Sequence, residues 1–124
     1  MKIQKYLPVI FGVLALIIII TLMAMNKDSE MILFYGDTCP HCKNVDEFMV
    51  ANKIEGKIEF RKLEVYNNQG NAQLLTQTAK NCGLDTTKGV GVPFFYDGKT
   101  CLVGDTDIIN FFKNYGNNSS QATD

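Results

Sequence analysis

Two cysteines three positions apart, Cys39 and Cys42, lie between an apolar run and an amphipathic pattern, with Pro40 and His41 between them. The run before them, residues 31–35, is continuously apolar, as is typical of a strand buried on both faces. Behind them, apolar residues recur at helical spacing. A helix that begins here would direct unpaired N–H groups and a partial positive charge at Cys39, which favours a thiolate. The pattern predicts a redox-active dithiol at a strand-to-helix junction.

The residues of this motif have distinct predicted roles. Pro40 suits the first helical turn, where its missing N–H would have had no helical partner. Cys42 is one turn inside the helix, on the same face as Cys39, and can close a disulfide with it. His41 is the only histidine of the chain. It is either a solvated surface residue or a donor that stabilises the Cys39 thiolate, which would make the disulfide a stronger oxidant.

Residues 7–25 contain no charged side chain and match the roughly 20 residues that a helix needs to cross a bilayer. The sequence therefore predicts a transmembrane signal-anchor, with a cleaved signal peptide as the alternative. Lys2 and Lys5 precede this segment, which places residues 1–6 in the cytoplasm and the rest of the chain outside it by the positive-inside rule. The expected protein is single-pass, or secreted if the signal is cleaved.

The remaining residues alternate between strand and helix patterns. After a polar linker at 26–30, we expect one domain over 31–116 and a polar, disordered tail over 117–124. The expected elements are strands at 31–35, 58–66, 92–96 and 99–103, and helices at 42–53, 71–82 and 105–116. A parallel pair joined by a crossover helix, followed by an antiparallel hairpin, gives an α/β domain with a mixed four-stranded sheet flanked by helices.

This β-α-β-α-β-β-α order, with the dithiol at its first strand-to-helix junction, resembles the thioredoxin-like superfamily at its minimal, glutaredoxin-like size. The resemblance implies that Cys39 is the exposed nucleophile and Cys42 the more buried resolving thiol. Cys-Pro-His-Cys is similar to the motif of the DsbA family of oxidants, although the chain lacks room for the helical domain of that family. Thr38 and Leu33 stand where thioredoxins proper carry a tryptophan and a buried acid.

Val92-Pro93 is the second sequence mark of the resemblance. In thioredoxin-like folds a cis-proline lies beside the dithiol, and the backbone of its neighbour pairs with bound substrate. The resemblance therefore implies a cis bond before Pro93 and a substrate-binding role for both residues. Without the resemblance, Pro93 is a proline at the start of an edge strand.

The other two of the chain's four cysteines are Cys82 and Cys101. They are expected as a structural disulfide if the domain lies outside the cytoplasm, or as two buried free thiols otherwise. A second redox pair that relays electrons from the first is a further alternative.

The balanced charge and the sequence motifs together limit which classes of function the chain is expected to have. With 12 basic and 13 acidic residues, the chain has no charge bias towards nucleic acid. It carries no metal, flavin or nucleotide signature, so no cofactor is expected. We expect a thiol–disulfide oxidoreductase that acts on cysteine pairs of exported proteins and exchanges electrons with a dithiol or quinone-linked partner protein. The alternative is a non-enzymatic module that binds zinc or a partner through the same cysteines.

Overall fold

The computed structural model of the chain describes residues 3–25 and 30–119. After a 3₁₀ turn (Ile3–Lys5), the elements in chain order are α1 (Leu7–Met25), β1 (Ile32–Tyr35), α2 (Pro40–Ala51), a 3₁₀ turn (Ile54–Gly56), β2 (Arg61–Glu64), α3 (Gln69–Asn81), β3 (Phe94–Tyr96), β4 (Cys101–Val103) and α4 (Asp105–Ser119). The strands form one sheet in the order β2-β1-β3-β4. β1 and β2 are parallel, whereas β3 runs antiparallel to both β1 and β4. The predicted mixed four-stranded α/β sheet is confirmed.

The sheet is covered on both faces because alternate residues of β1 point to opposite sides. Leu33 belongs to one apolar cluster, and Ile32 and Phe34 belong to the other. The first cluster joins α2 and α4 to the sheet through Val45, Met49, Phe95, Ile108 and Phe112. The second joins α3 to the sheet through Val65, Leu75, Ala79 and Phe94. α2 packs against both the sheet and α4. These contacts hold the start of α2 at the carboxyl end of β1.

Several element ends differ from the sequence prediction. β2 begins at Arg61 rather than 58, because the 3₁₀ turn at Ile54–Gly56 buries Ile54 and Ile58 before the strand starts. α3 begins at Gln69 rather than 71, because Asn68 is its N-cap: the Asn68 side-chain oxygen accepts a hydrogen bond from the Asn71 N–H at 3.0 Å. α4 continues past Gly116, the predicted end, to Ser119, since a glycine weakens a helix by about 1 kcal/mol without stopping it.

The helix predicted over 7–25 is present as α1 (Leu7–Met25). Throughout 3–25 and 30–119, no helix is both long and apolar enough to pass through a membrane, so the predicted transmembrane segment lacks support. Most of the predicted linker at 26–30 and the end of the tail lie outside the described residues.

Candidate active site

The dithiol lies where the chain leaves β1 and enters α2. Cys39 is the N-cap of α2, with an extended backbone (φ −83°, ψ 116°), and Pro40 follows in the first turn. The Cys42 N–H donates to the Cys39 Sγ across 3.2 Å. This contact satisfies one of the N–H groups that a helix start leaves unpaired, and it places that donor on the sulfur. Both cysteines are free thiols, as the motif predicts for the reduced state.

Exposure does not distinguish the two thiols, in contrast to what the resemblance implies. Cys39 is 8% exposed and Cys42 is 7% exposed. Protonation does distinguish Cys42: burial, followed by its hydrogen bond with Cys39, raises the pKa of the Cys42 thiol to about 12. Cys42 is therefore a thiol at neutral pH while the other cysteine is reduced, and it needs a base before it can act as a nucleophile.

Val92 and Pro93 lie against the dithiol although they are more than fifty positions away in sequence. The Val92–Pro93 peptide bond is cis, as the resemblance implied. The Cys39 thiol contacts the Val92 carbonyl oxygen at 3.5 Å. β3 begins directly after this pair and is hydrogen-bonded to β1, which accounts for the proximity. The structure thus brings together Cys39, Cys42, Val92 and Pro93.

His41 points to α4 rather than to the dithiol. Its Nδ1 lies 3.0 Å from an Asp105 carboxylate oxygen, and the Asn44 side-chain amide donates to that same oxygen across 2.7 Å. These two contacts, that of Asn44 first, lower the pKa of Asp105 to about 2. An ionised carboxylate only accepts hydrogen bonds, so Nδ1 carries the hydrogen. The predicted contact of His41 with the Cys39 thiolate is not present among the described residues; Asp105 holds the imidazole instead.

Tyr66 belongs to the site and was missed in the sequence. Its ring lies over Gly36, where an added Cβ would overlap the ring. Burial and then the charges of Cys39 and Cys42 raise the pKa of Tyr66, although 55% of the residue is exposed. The Glu64 carboxylate fixes the loop by accepting the backbone N–H groups of Tyr66 and Asn67 at 2.7 and 2.8 Å.

A cavity of about 610 Å³ opens beside the dithiol, between β1, α2 and β2. Both cysteines line it, together with four charged side chains: Asp37, Lys43, Asp46 and Lys62. Lys62 forms ion pairs with Asp46 at 2.9 Å and with Glu55 at 3.1 Å. Lys43 pairs with Glu47 on the next turn at 3.7 Å. The cavity thus connects both sulfurs to solvent and to charged side chains.

Cys82 and Cys101 are joined as a disulfide, with their Cα atoms 6.1 Å apart. The bond links the end of α3 to β4 and lies apart from the dithiol. Within 3–25 and 30–119, no group of three or more His, Cys, Asp or Glu side chains is arranged to hold a metal ion.

Comparisons of the chain with protein-family models, with curated proteins and with solved structures found no match. The candidate site is therefore interpreted from its own geometry.

Proposed function

We propose that the chain is a thiol–disulfide oxidoreductase of the thioredoxin-like class, with Cys39 as nucleophile and Cys42 as resolving thiol. The observation that carries the proposal is the hydrogen bond from the Cys42 N–H to the Cys39 Sγ at the start of α2. A backbone donor and the positive end of a helix both point at the Cys39 sulfur, and helix N-termini are where reactive cysteines are commonly found. No comparable helix start supports Cys42, whose pKa is raised.

The proposed exchange proceeds through a mixed disulfide. The Cys39 thiolate attacks one sulfur of a substrate disulfide, the substrate S–S bond breaks, and the departing thiolate takes up a proton. Cys42 then loses its proton and attacks the Cys39 Sγ, which forms the Cys39–Cys42 disulfide and releases the second substrate thiol. The substrate gains two electrons and the protein loses two. The same steps in reverse oxidise a substrate dithiol. A dithiol or quinone-linked partner protein then returns the Cys39–Cys42 pair to the redox state in which it began.

The Val92 carbonyl supports the substrate-binding part of the proposal. It is in contact with the Cys39 thiol, so a peptide whose sulfur bonds to Cys39 has its backbone beside Val92 and Pro93. Tyr66 lies near the same sulfur with about half of its surface exposed, and offers an apolar ring to residues that flank the substrate cysteine.

Trapping of the mixed disulfide tests this function. In the Cys42→Ser variant, Cys39 can attack a substrate disulfide but nothing resolves the product, so we expect an adduct with a disulfide-bonded peptide that dithiothreitol removes. The matched control is Cys39→Ser, which should form no adduct because its one remaining thiol of the pair is buried, and burial raises the pKa of that thiol. Adducts of equal yield in both variants, or in Cys39→Ser alone, would contradict the assigned roles.

The reduction potential of the Cys39–Cys42 pair decides the direction of exchange. A value near about −120 mV is typical of a disulfide donor, and one near about −270 mV is typical of a reductase. The Asp105 carboxylate bears on this value, since it holds the imidazole that would otherwise be free to approach Cys39.

We also propose that the redox domain works outside the cytoplasm. The Cys82–Cys101 disulfide supports this location, because such bonds persist in oxidising compartments. Attachment to a membrane through residues 7–25 stays a prediction from the sequence. Accessibility of the domain to a protease added to intact cells tests the location, and the presence of an intact N-terminus in the membrane fraction tests the attachment.

A further inference from the structure

We propose that Asp46 accepts the proton that Cys42 loses when Cys42 resolves a mixed disulfide. This inference rests on the proposed function, since it concerns the second step of the exchange. The proposed base, Asp46, lines the cavity beside the dithiol.

The step needs a base because of where Cys42 lies. Its side chain is almost fully buried, and burial is the largest cause that raises the pKa of its thiol. This cause persists in the mixed disulfide, whereas the contribution of a free Cys39 does not. At neutral pH only a very small fraction of such a thiol is ionised, whereas the attacking species in disulfide exchange is the thiolate. Cys42 lines the cavity beside the dithiol, so the cavity gives its proton a route to groups that contact solvent.

Asp46 is in the right place to receive it. It follows Cys42 by four positions on α2, so the two side chains lie on the same face of the helix, one turn apart. Both line the cavity of about 610 Å³. A water molecule takes about 30 Å³ of liquid volume, so the cavity has room for a chain of waters between the thiol and the carboxylate. Asp46 is 55% exposed at its side chain, so the proton can pass on to bulk solvent.

Because Lys62 has a second ion-pair partner, Asp46 can be protonated while Lys62 stays paired. Burial alone would lower the pKa of Lys62, but its hydrogen bonds with Asp46 and Glu55 raise it above the usual value. When Asp46 is protonated, Lys62 keeps its ion pair with Glu55 at 3.1 Å. Glu55 does not line the cavity, so it stabilises Lys62 without competing for the proton.

The second carboxylate of the cavity is less suited to this role. Asp37 also lines the cavity, but it lies in the turn before α2 and accepts a hydrogen bond from the Asn67 amide at 3.0 Å. Asp37 lies before the dithiol in the chain and so does not share the helical register that places Asp46 over Cys42.

The balanced step is then as follows. Cys42 S–H transfers its proton through water to the Asp46 carboxylate. The Cys42 thiolate attacks the Cys39 Sγ, the bond between Cys39 and the substrate sulfur breaks, and the Cys39–Cys42 bond forms. The substrate leaves as a thiolate and takes a proton from solvent, while Asp46 returns its proton to solvent. In the reverse direction Asp46 gives a proton to Cys42 as Cys42 leaves.

Rapid-quench kinetics on the full chain tests the inference. Reduced protein is mixed with excess disulfide-bonded peptide, thiols are trapped with acid and alkylated, and the mixed disulfide is followed by mass. Its formation reports the Cys39 step and its decay reports the Cys42 step. In Asp46→Asn we expect unchanged formation and decay slowed by about tenfold to a hundredfold at neutral pH, within or just below the range for a positioned general base.

Two matched variants separate the proton role from electrostatic or structural effects. Glu47→Gln removes a neighbouring carboxylate of α2 that does not line the cavity, and Asp37→Asn removes the other carboxylate of the cavity. Both should leave the decay rate close to that of the wild type. A circular-dichroism melt of each variant shows whether it is folded, and because Asp46 is exposed at the surface of α2 we expect Asp46→Asn to fold.

The pH profile adds a readout that a structural role would not change. As the pH rises, hydroxide takes the proton directly, so the difference between Asp46→Asn and the wild type should shrink. The ionisable groups that lie near the Cys42 and Asp46 side chains are Tyr35, Asp37, Cys39, Lys43, Lys62 and Tyr66. Asp46→Asn removes one of the two carboxylates that raise the pKa of Lys62, so the two profiles are compared below the ordinary lysine pKa of about 10.4, where Lys62 is charged.

The outcomes are distinguishable. Decay at the wild-type rate in Asp46→Asn, or equal slowing in Glu47→Gln, overturns the role of Asp46 while the proposed function stands. The absence of any mixed disulfide, in the wild type and in Cys42→Ser alike, overturns both.

Discussion

Replacement of both Cys82 and Cys101 by alanine should lower the free energy of unfolding by about 3 kcal/mol. The disulfide joins positions 19 apart in sequence. The loop that it closes contains the connection from α3 through β3 to β4. In the chain-entropy treatment, a cross-link over this separation removes about 11 cal/mol/K from the unfolded ensemble, or about 3 kcal/mol at 25 °C. Both residues are half-buried, so the lost sulfur contacts add little to this value.

Urea unfolding followed by far-UV circular dichroism measures the effect. Both proteins should carry Cys39→Ser and Cys42→Ser, so that Cys82 and Cys101 are the only cysteines that differ. Intact mass before unfolding confirms that the disulfide is formed. The variant should also have a larger dependence on urea, because its unfolded chain has no cross-link and exposes more surface.

The reduced form of the cross-linked protein is the internal control. With dithiothreitol present, its unfolding curve should shift to that of the alanine variant, since both then lack the cross-link. Equal midpoints for the oxidised, reduced and alanine forms would refute the loop-entropy reasoning. A loss well above about 5 kcal/mol would also refute it, because it would mean that the bond maintains packing that the entropy treatment ignores.

Two further predictions concern the core and the site. Phe95→Ala should lower the free energy of unfolding by about 3–5 kcal/mol, because the ring is fully buried. The ring contacts Phe111 and Phe112 at centroid distances of 5.1 and 5.2 Å. The control is Val50→Ala, at a residue that is 72% exposed, which should change the stability little. The folded state holds the pKa of Asp105 at about 2, below its usual 3.8, so the ionised carboxylate contributes stability above pH 3.8 that is lost as the pH falls towards 2. The unfolding free energy of the wild type should therefore fall more steeply over this interval than that of Asp105→Asn, and parallel curves would contradict the assignment.

The sequence predicts those parts of the fold that are determined by residues close together along the chain. The apolar run 31–35, the helical spacing after Cys42 and the Asp97-Gly98 turn each specify an element, and the order of these elements requires a parallel pair and a hairpin. Their ends are less predictable. Ile58 and Phe60 alternate as in a strand, yet Ile58 is buried before β2 begins, because a 3₁₀ turn also satisfies the same apolar pattern.

In the candidate site, the dithiol and Val92-Pro93 are predictable because they are short motifs. Asp105 and Tyr66 are not, since each reaches the motif only through the fold. Asp105 is at the start of α4, 64 positions from His41, and no local pattern marks it as the acceptor of the imidazole. Tyr66 had a usable signal: it follows β2, and the carboxyl ends of the parallel pair β1 and β2 meet at the same edge of the sheet.

The two thiols differ in their hydrogen bonds and not in their exposure. Burial alone would make Cys39 and Cys42 equivalent, since their exposed fractions are 8% and 7%. The N-cap position breaks this equivalence: the Cys39 Sγ accepts the Cys42 N–H, while Cys42 itself is inside the first turn and keeps a raised pKa. The same turn of helix therefore places a donor on one sulfur and leaves the other a buried thiol. Thr38 and Leu33 supply no carboxylate beside the dithiol, whereas the face of α2 that carries Cys42 also carries Asp46, the base that we propose for the second thiol.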